Sequence, residues 1–287
     1  MKKLLLPFLF CFLSVLSKAQ YGEYDTVKAG PPFKIFDNLY YVGNDFVSSY
    51  LLVTDEGLVL LDATYGKYPV HILQSVKELG FDPMQIKYIF CTHAHYDHFE
   101  GADTLQKITH ARVGMTDYDW KVADGTIYNE YASKTVKMKR DWTINDGDSL
   151  KLGNNVLHFY VTPGHTPGVL SLAFKVYDGK KSYTAFMFGG IGQNFTGVKQ
   201  TQLYLNSVNR LLKMKNLSVN ITNHPGAGNI FEKAEKLKNR KPNTQHPFVD
   251  AKGFKEWLLG LKKDALKKLK LEHKKSQMAS QLKETNI

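Results

Sequence analysis

The segment Thr92-His93-Ala94-His95-Tyr96-Asp97-His98 places four side chains able to ligate a metal within six positions, directly after the apolar run from Ile86 to Cys91. Such a run reads as a strand and the motif as a metal site at its end. Neutral imidazole and carboxylate are ligands that zinc accepts, and on extended backbone His93 and His95, two apart, project to the same side. Asp97 and His98 are then free to face a second ion. The plainer alternative is a histidine-rich surface loop. Only ten histidines occur in 287 residues, however, and three of them fall here beside an aspartate.

Two further histidines stand in loops of similar character. His165 lies in Thr162-Pro163-Gly164-His165-Thr166-Pro167-Gly168, between the apolar stretches Val156 to Val161 and Val169 to Val176, and His224 lies in Asn223-His224-Pro225-Gly226 after a short strand. Proline and glycine make each a tight turn that fixes a side chain at a strand end. Alone, either could be an ordinary turn histidine. Together with the first cluster they make five histidines and one aspartate, three protein ligands for each of two metals.

The rest of the chain reads as layers. Strands are expected at Tyr50 to Val53 and Leu58 to Leu61 around the turn Asp55-Glu56-Gly57, and again at 156–161, 169–176 and 183–188. Helices are expected over 69–79, over Gly101 to Ile108, over 201–214 and over 229–239. A last helix, roughly Lys252 to Lys275, alternates lysines with Trp257, Leu258, Leu261, Ala265 and Leu269 at helical spacing. Strand runs with helices between them suggest an α/β (α+β) fold of stacked sheets covered by helices. With 43% hydrophobic residues and no stretch that reads as a linker, residues 20–287 are expected to form a single domain ending in that basic helix.

The N-terminus reads as an address. Lys2-Lys3, the apolar Leu4 to Leu16 and then Ser17-Lys18-Ala19-Gln20 have the zones of a secretory signal over residues 1–19, with cleavage after Ala19 or Gln20. That places the mature protein in a periplasm or outside the cell, without a stable membrane anchor. Removing the signal takes three lysines from a net charge of +11, leaving +8, and leaves Cys91 as the one cysteine. Cys91 therefore reads as a buried small hydrophobe, with a ligand role as the sharper alternative. The basic last helix reads as a solvated face. Contact with an anionic membrane or with nucleic acid are its other readings, and the export signal argues against nucleic acid.

The pattern His93-x-His95-x-Asp97-His98, then His165 in a Pro-Gly-His-Thr turn, then His224, resembles the metallo-β-lactamase superfamily. Asn223-His224-Pro225-Gly226-Ala227, the opening Pro32-Phe33-Lys34-Ile35 with Asn38-Leu39-Tyr40-Tyr41-Val42-Gly43, and Asp250-Ala251 before the last helix are similar to its subclass B3. The resemblance covers residues 30–272. It implies a four-layer αββα sandwich with the metals at one edge of the two sheets. It implies that His93, His95 and His165 hold one zinc and Asp97, His98 and His224 the other, with Asp97 also orienting the nucleophile. Asp62, after Leu58 to Leu61, is similar in position to a family aspartate that supports the ligands.

The implied activity is hydrolysis of the amide of β-lactam antibiotics by a metal-bound hydroxide, which zinc generates near neutral pH by lowering the pKa of its water to about 7. The implied partner is a small-molecule β-lactam, and a monomer is expected. A hydrolase of lactones or other cyclic esters is a second reading, and a non-catalytic zinc-binding protein a third. Glyoxalase-, lactonase- and RNA-processing-type members carry a bridging aspartate, and another lactamase subclass a cysteine, where this chain reads Phe188-Gly189-Gly190-Ile191-Gly192-Gln193. Subclass B3 enzymes often place serines where this chain has Gly190 and Gly192. Backbone amides there, or the side chains of Gln193 and Asn194, are the expected substitutes for holding a substrate carboxylate.

Overall fold

The computed structural model describes residues 26–284; the expected secretory signal lies outside them. Seven strands form one sheet in the order β1 (Phe33–Phe36), β2 (Leu39–Tyr41), β3 (Tyr50–Thr54), β4 (Gly57–Leu61), β5 (Ile86–Phe90), β6 (Arg112–Met115), β7 (Trp142–Thr143). Five more, β8 (Ser149–Leu152), β9 (Asn155–Val161), β10 (Leu170–Asp178), β11 (Lys181–Phe188) and β12 (Leu217–Thr222), form a second sheet in the order β12-β11-β10-β9-β8.

Alternation along the strands explains why the sheets stack. Val59 and Leu61 of β4 face the inter-sheet core with Phe159, Leu172 and Met187 of the second sheet. Leu58 and Leu60, one residue out of phase, turn to the opposite face. There they meet α1 (Tyr68–Glu78), α2 (Tyr96–Thr109) and α3 (Asp117–Ala123), through Ile72, Val76, Phe99, Leu105 and Trp120. Likewise Ala185 and Met187 of β11 point inward, while Phe186 and Phe188 point outward to α4 (Val198–Lys213) and the last helix, α6 (Ala251–Glu284), through Tyr204, Val208 and Leu258. A short helix, α5 (Ile230–Lys238), seats Ile230 in the central core. Both faces of these strands are buried, which is why they read as continuous apolar runs. The result is the four-layer αββα sandwich.

Several elements differ from the reading of the sequence alone. The helix expected to begin at Gly101 begins at Tyr96, so Asp97 and His98 sit in its first turn rather than in a loop. Gly101 is an interior contact: a Cβ there would collide with Ala63 O and Pro69 Cγ, and its amide donates to Thr64 O at 2.9 Å. His93 and His95 lie in a bend between β5 and α2 and not in the strand itself, with His95 at extended angles of φ −70 and ψ 143. Strands β1, β2, β6, β7 and β8 and helix α3 were not anticipated, and the last helix runs through Glu284.

Strand direction then gathers the functional loops. β4, β5 and β6 run parallel, as do β11 and β12. Asp62 follows β4, the histidine motif follows β5, His165 follows β9, the glycine segment follows β11 and His224 follows β12. Ligands of open α/β sheets collect at the carboxyl ends of strands. Two backbone hydrogen bonds stitch that edge together, Leu170 N to Thr92 O at 2.7 Å and Ser48 N to Asn223 O at 2.9 Å.

Candidate metal centre

Two clusters of three ligand atoms lie side by side at this edge, His93–His95–His165 and Asp97–His98–His224. In the first, His165 Nε2 lies 3.1 Å from His93 Nε2 and 3.1 Å from His95 Nδ1. In the second, His98 Nε2 lies 3.2 Å from His224 Nε2 and 3.4 Å from Asp97 Oδ2, and His224 Nε2 lies 3.7 Å from the same oxygen. A tetrahedral ion with bonds of 2.0–2.1 Å spaces its ligand atoms by about 3.3 Å. Both clusters are therefore close to the size of a zinc site.

The outward nitrogens show which ring atoms are free. His165 Nδ1 donates to Gly192 O at 3.0 Å, and His224 Nδ1 donates to Phe46 O at 2.8 Å, because a carbonyl only accepts. His98 Nδ1 donates to Asp62 Oδ2 at 2.8 Å. In the neutral rings the Nε2 atoms of His165, His98 and His224 are consequently bare lone pairs, and those of His98 and His224 face one another at 3.2 Å. Two lone pairs at that distance repel unless a cation or a proton lies between them. The donor set thus fits a metal ion in each cluster, with the outer hydrogen bonds orienting the ligands.

Charge states agree. Burial pushes His93 well below the ordinary imidazole range, lowers His95 to about 2 and lowers His165 to about 4, with neighbouring histidines adding to the effect. Burial and the adjacent His98 also lower His224. These rings stay neutral at pH 7 and keep the lone pair that a metal needs. For His98, burial acts downward, but the charges of Asp97 and Asp62 and the Asp62 hydrogen bond outweigh it, so its affinity for a proton is raised. The same negative charge attracts a metal cation.

Asp62 ties this arrangement to the sheet. It sits in the left-handed region at φ 61, and from there its Oδ1 accepts from Thr92 N at 2.7 Å while Oδ2 accepts from Thr92 Oγ1 at 3.0 Å. A residue the sequence reading did not select completes the frame. Asp119, fully buried at the start of α3, accepts from Ala94 N at 3.1 Å, from Thr116 Oγ1 at 3.0 Å and from Thr166 Oγ1 at 3.4 Å. It thereby links the His93–His95 bend to the His165 turn. Burial raises its carboxyl to about 6, against hydrogen bonds that act downward. Its place just beyond the end of β6 was the signal that could have found it.

The glycine segment takes a different part from the one expected. Gly190 is buried, and a Cβ there would lie 2.6 Å from Val169 Cγ2 and 2.8 Å from His165 Cβ. Gly192 is exposed and supplies the carbonyl that orients His165. Gln193 donates its amide to Leu261 O at 3.2 Å and so braces α6 instead of facing the metals. Asn194 is brought to the site: with His95, Tyr128, Asn129, Glu130, Tyr131, His165, Phe195 and Thr196 it lines a cleft of about 320 Å³. Cys91 is fully buried and belongs to neither ligand cluster. Asp178 lies at the β10–β11 turn, paired with Arg240 at 2.8 Å.

Comparison with known proteins agrees with this geometry. The family model described as the metallo-beta-lactamase superfamily matches residues 42–178. The native metallo-beta-lactamase from Legionella gormanii superposes with a TM-score of 0.79 at 30% identity, covering 87% of this chain and 99% of that one. A subclass B3 metallo-beta-lactamase of Bradyrhizobium japonicum superposes with a TM-score of 0.77 at 27% identity, covering 85% and 96%. By sequence, a probable metallo-hydrolase of Bacillus subtilis is 26% identical over 189 residues, 64% of this chain and 87% of the relative. An N-acyl homoserine lactonase of Rhizobium radiobacter is 29% identical over 114 residues, 38% of this chain and less than half (43%) of the relative. With both ligand clusters assembled on the same four-layer scaffold, the chain belongs to the metallo-beta-lactamase superfamily.

Proposed function

We propose that this metallo-hydrolase is a di-zinc enzyme that opens the amide of β-lactams, and that it works after export, as a periplasmic or secreted monomer. The observation that carries the reading is the pair of three-ligand clusters built wholly from histidine and Asp97, with glycines where other branches of the family place a bridging ligand. The solved structures it resembles include β-lactamases matched over nearly their whole length. Zinc bound there supplies an acidified water and a Lewis acid for the substrate carbonyl. The chain's own residues do the remaining work. His93, His95 and His165 hold one ion and His98 and His224 the other, Asp97 completes the second set and orients the nucleophile, and Asn194 offers the cleft a neutral hydrogen-bonding side chain. Export rests on the charged, apolar and small-residue zones of residues 1–19.

A specific observation keeps the lactone reading alive as the second one. The cleft lining contains no lysine or arginine, and Glu130 is its only carboxylate, so no side chain of the lining offers a cation to a substrate carboxylate. A neutral acyl lactone has no such need. Hydrolysis of a chromogenic cephalosporin and of an acyl homoserine lactone by the purified protein, each with and without chelator, separates the two. Chelator-sensitive turnover of the cephalosporin supports the first reading; turnover of the lactone alone replaces it with the second. N-terminal sequencing of protein from the periplasmic fraction tests export, with a start at Gln20 or Tyr21 expected.

A further inference from the structure

The last helix presents a surface that the metal centre does not use. α6 has 34 residues, about 51 Å at 1.5 Å per residue, whereas α4 beside it has 16. Its packed stripe is Phe254, Leu258 and Ala265, flanked by Trp257, Leu261 and Leu269. On another side of the same helix Leu259 and Leu266, seven residues apart and so nearly superposed in projection, are 47% and 49% exposed. Lys252, Lys263 and Lys270 lie within about 50° of that line on one side, and Lys255 and Lys262 within about 50° on the other. Farther along, Leu271 and Met278 repeat the seven-residue spacing on a neighbouring face, again largely exposed.

Charge is concentrated in the same place. The helix holds ten lysines against four acidic residues, a net +6. Glu256, Asp264 and Glu272 pair with Lys252, Lys267 and Lys268. Among the described residues, Lys255, Lys262, Lys263 and Lys270 form no ion pair. A line of exposed leucines bordered by five lysines, four of them unpaired among the described residues, suits a surface that is anionic at its rim and apolar just beneath.

We propose that this face of α6 seats the protein, reversibly, on a bilayer bearing anionic headgroups, with Leu259 and Leu266 entering the headgroup boundary and the flanking lysines meeting lipid phosphates. Attachment is peripheral, since among the described residues no helix is long and apolar enough to cross a membrane. Nucleic acid suits the face less well: the helix has no arginine, and Leu259 and Leu266 offer a base nothing to stack on. Pairing with a second copy would oppose like charges along the whole stripe.

Co-sedimentation of the purified, metal-loaded protein with vesicles tests this, using phosphatidylcholine alone and phosphatidylcholine mixed with phosphatidylglycerol. Binding is expected only to the mixed vesicles, and salt is expected to weaken it. The double variant Lys263→Glu/Lys270→Glu should weaken it at least about tenfold. Leu259→Ser/Leu266→Ser should weaken it severalfold, and both variants should keep the parent's circular dichroism and thermal midpoint. Equal binding to both vesicle types, or indifference to both variants, overturns the proposal. Duplex DNA binding that the lysine variant loses and the leucine variant keeps, without vesicle binding, assigns the surface to nucleic acid instead. Dimerisation abolished by the leucine variant, again without vesicle binding, assigns it to self-association.

Discussion

His98 Nδ1 donates to Asp62 Oδ2 across 2.8 Å, with the two side chains almost wholly shielded from solvent. Because a carboxylate only accepts, this bond settles which nitrogen of His98 carries hydrogen and leaves Nε2 to face Asp97 and His224. The tautomer of a ligand is thus decided by a residue that does not touch the metal position.

Asp62→Ala should accordingly weaken binding at the Asp97–His98–His224 cluster by about ten- to a hundredfold, with a smaller loss at the other cluster, where Thr92 Oγ1, held by Asp62, lies 3.1 Å from His93 Nδ1. Thr92 N and Thr92 Oγ1 also lose their acceptor, so stability should fall by about 1–3 kcal/mol for each donor left unsatisfied. Competition of the metal-free protein against a zinc-binding dye checks the first, and chemical denaturation the second. Equal loss at both clusters would show that Asp62 supports the fold and not one ligand.

Asp97→Asn keeps the size of the side chain and removes its charge from the first turn of α2. Turnover should fall at least about a hundredfold. Metal analysis should find the His93–His95–His165 ion retained and the other weakened. Normal turnover with two ions bound would remove Asp97 from the mechanism.

Asp119 makes a signed prediction for pH. Its carboxyl is held at about 6 in the fold against an ordinary 3.8, so the folded chain binds this proton more tightly than the unfolded chain does. A group raised in this way contributes stability below about 3.8 and loses the contribution as pH climbs to about 6. The lowered His93, His95, His165 and His224 titrate with the opposite sign and the raised His98 with the same sign, but all are common to wild type and Asp119→Asn and cancel in the difference. For chelator-treated protein, the stability of wild type relative to Asp119→Asn should decline across that window by on the order of 2–3 kcal/mol and be flat above it. A flat difference throughout would mean that Asp119 is not held protonated by burial.

Gly190→Ser should not improve substrate binding. A Cβ 2.8 Å from His165 Cβ and 2.6 Å from Val169 Cγ2 forces one of them to move, at a cost of about 1–3 kcal/mol, so metal affinity at the His93–His95–His165 cluster should drop. Equilibrium dialysis with zinc checks this; a variant with full metal content and a lower KM would contradict it.

Asn194 and Gln193 are adjacent yet serve different parts of the molecule. Asn194→Ala should raise KM about tenfold with the thermal midpoint unchanged, as expected for one hydrogen bond lost from the cleft. Gln193→Ala should leave KM unchanged and lower stability by about 1 kcal/mol, because its amide bonds to Leu261 O in α6. Steady-state kinetics beside thermal unfolding separates the pair, and a raised KM in the Gln193 variant would reverse the assignment.

The candidate ligand clusters were legible in the chain because metal chemistry restricts them to a few residue types, gathered at 93–98 and set in Pro-Gly turns at His165 and His224, and the layered architecture because strands buried on both faces are apolar throughout. Helix starts were harder to read. α2 begins at Tyr96 with no side-chain cap, because His95 stands at the N-cap with extended angles and no serine, threonine or aspartate occupies that position.

What the sequence alone determined is which atoms can bind metal and that two sheets must stack, since both follow from residue type and alternation. Tertiary structure decided how the ligands are aimed. Asp62 reaches Thr92 and His98 from 30 and 36 positions away, Asp119 reaches Thr166 across 47, and Gln193 reaches Leu261 across 68. A hydrogen bond depends on distance and angle in three dimensions, and no local pattern encodes a partner that only the packing of β4, β5, α3 and α6 brings within 3.5 Å.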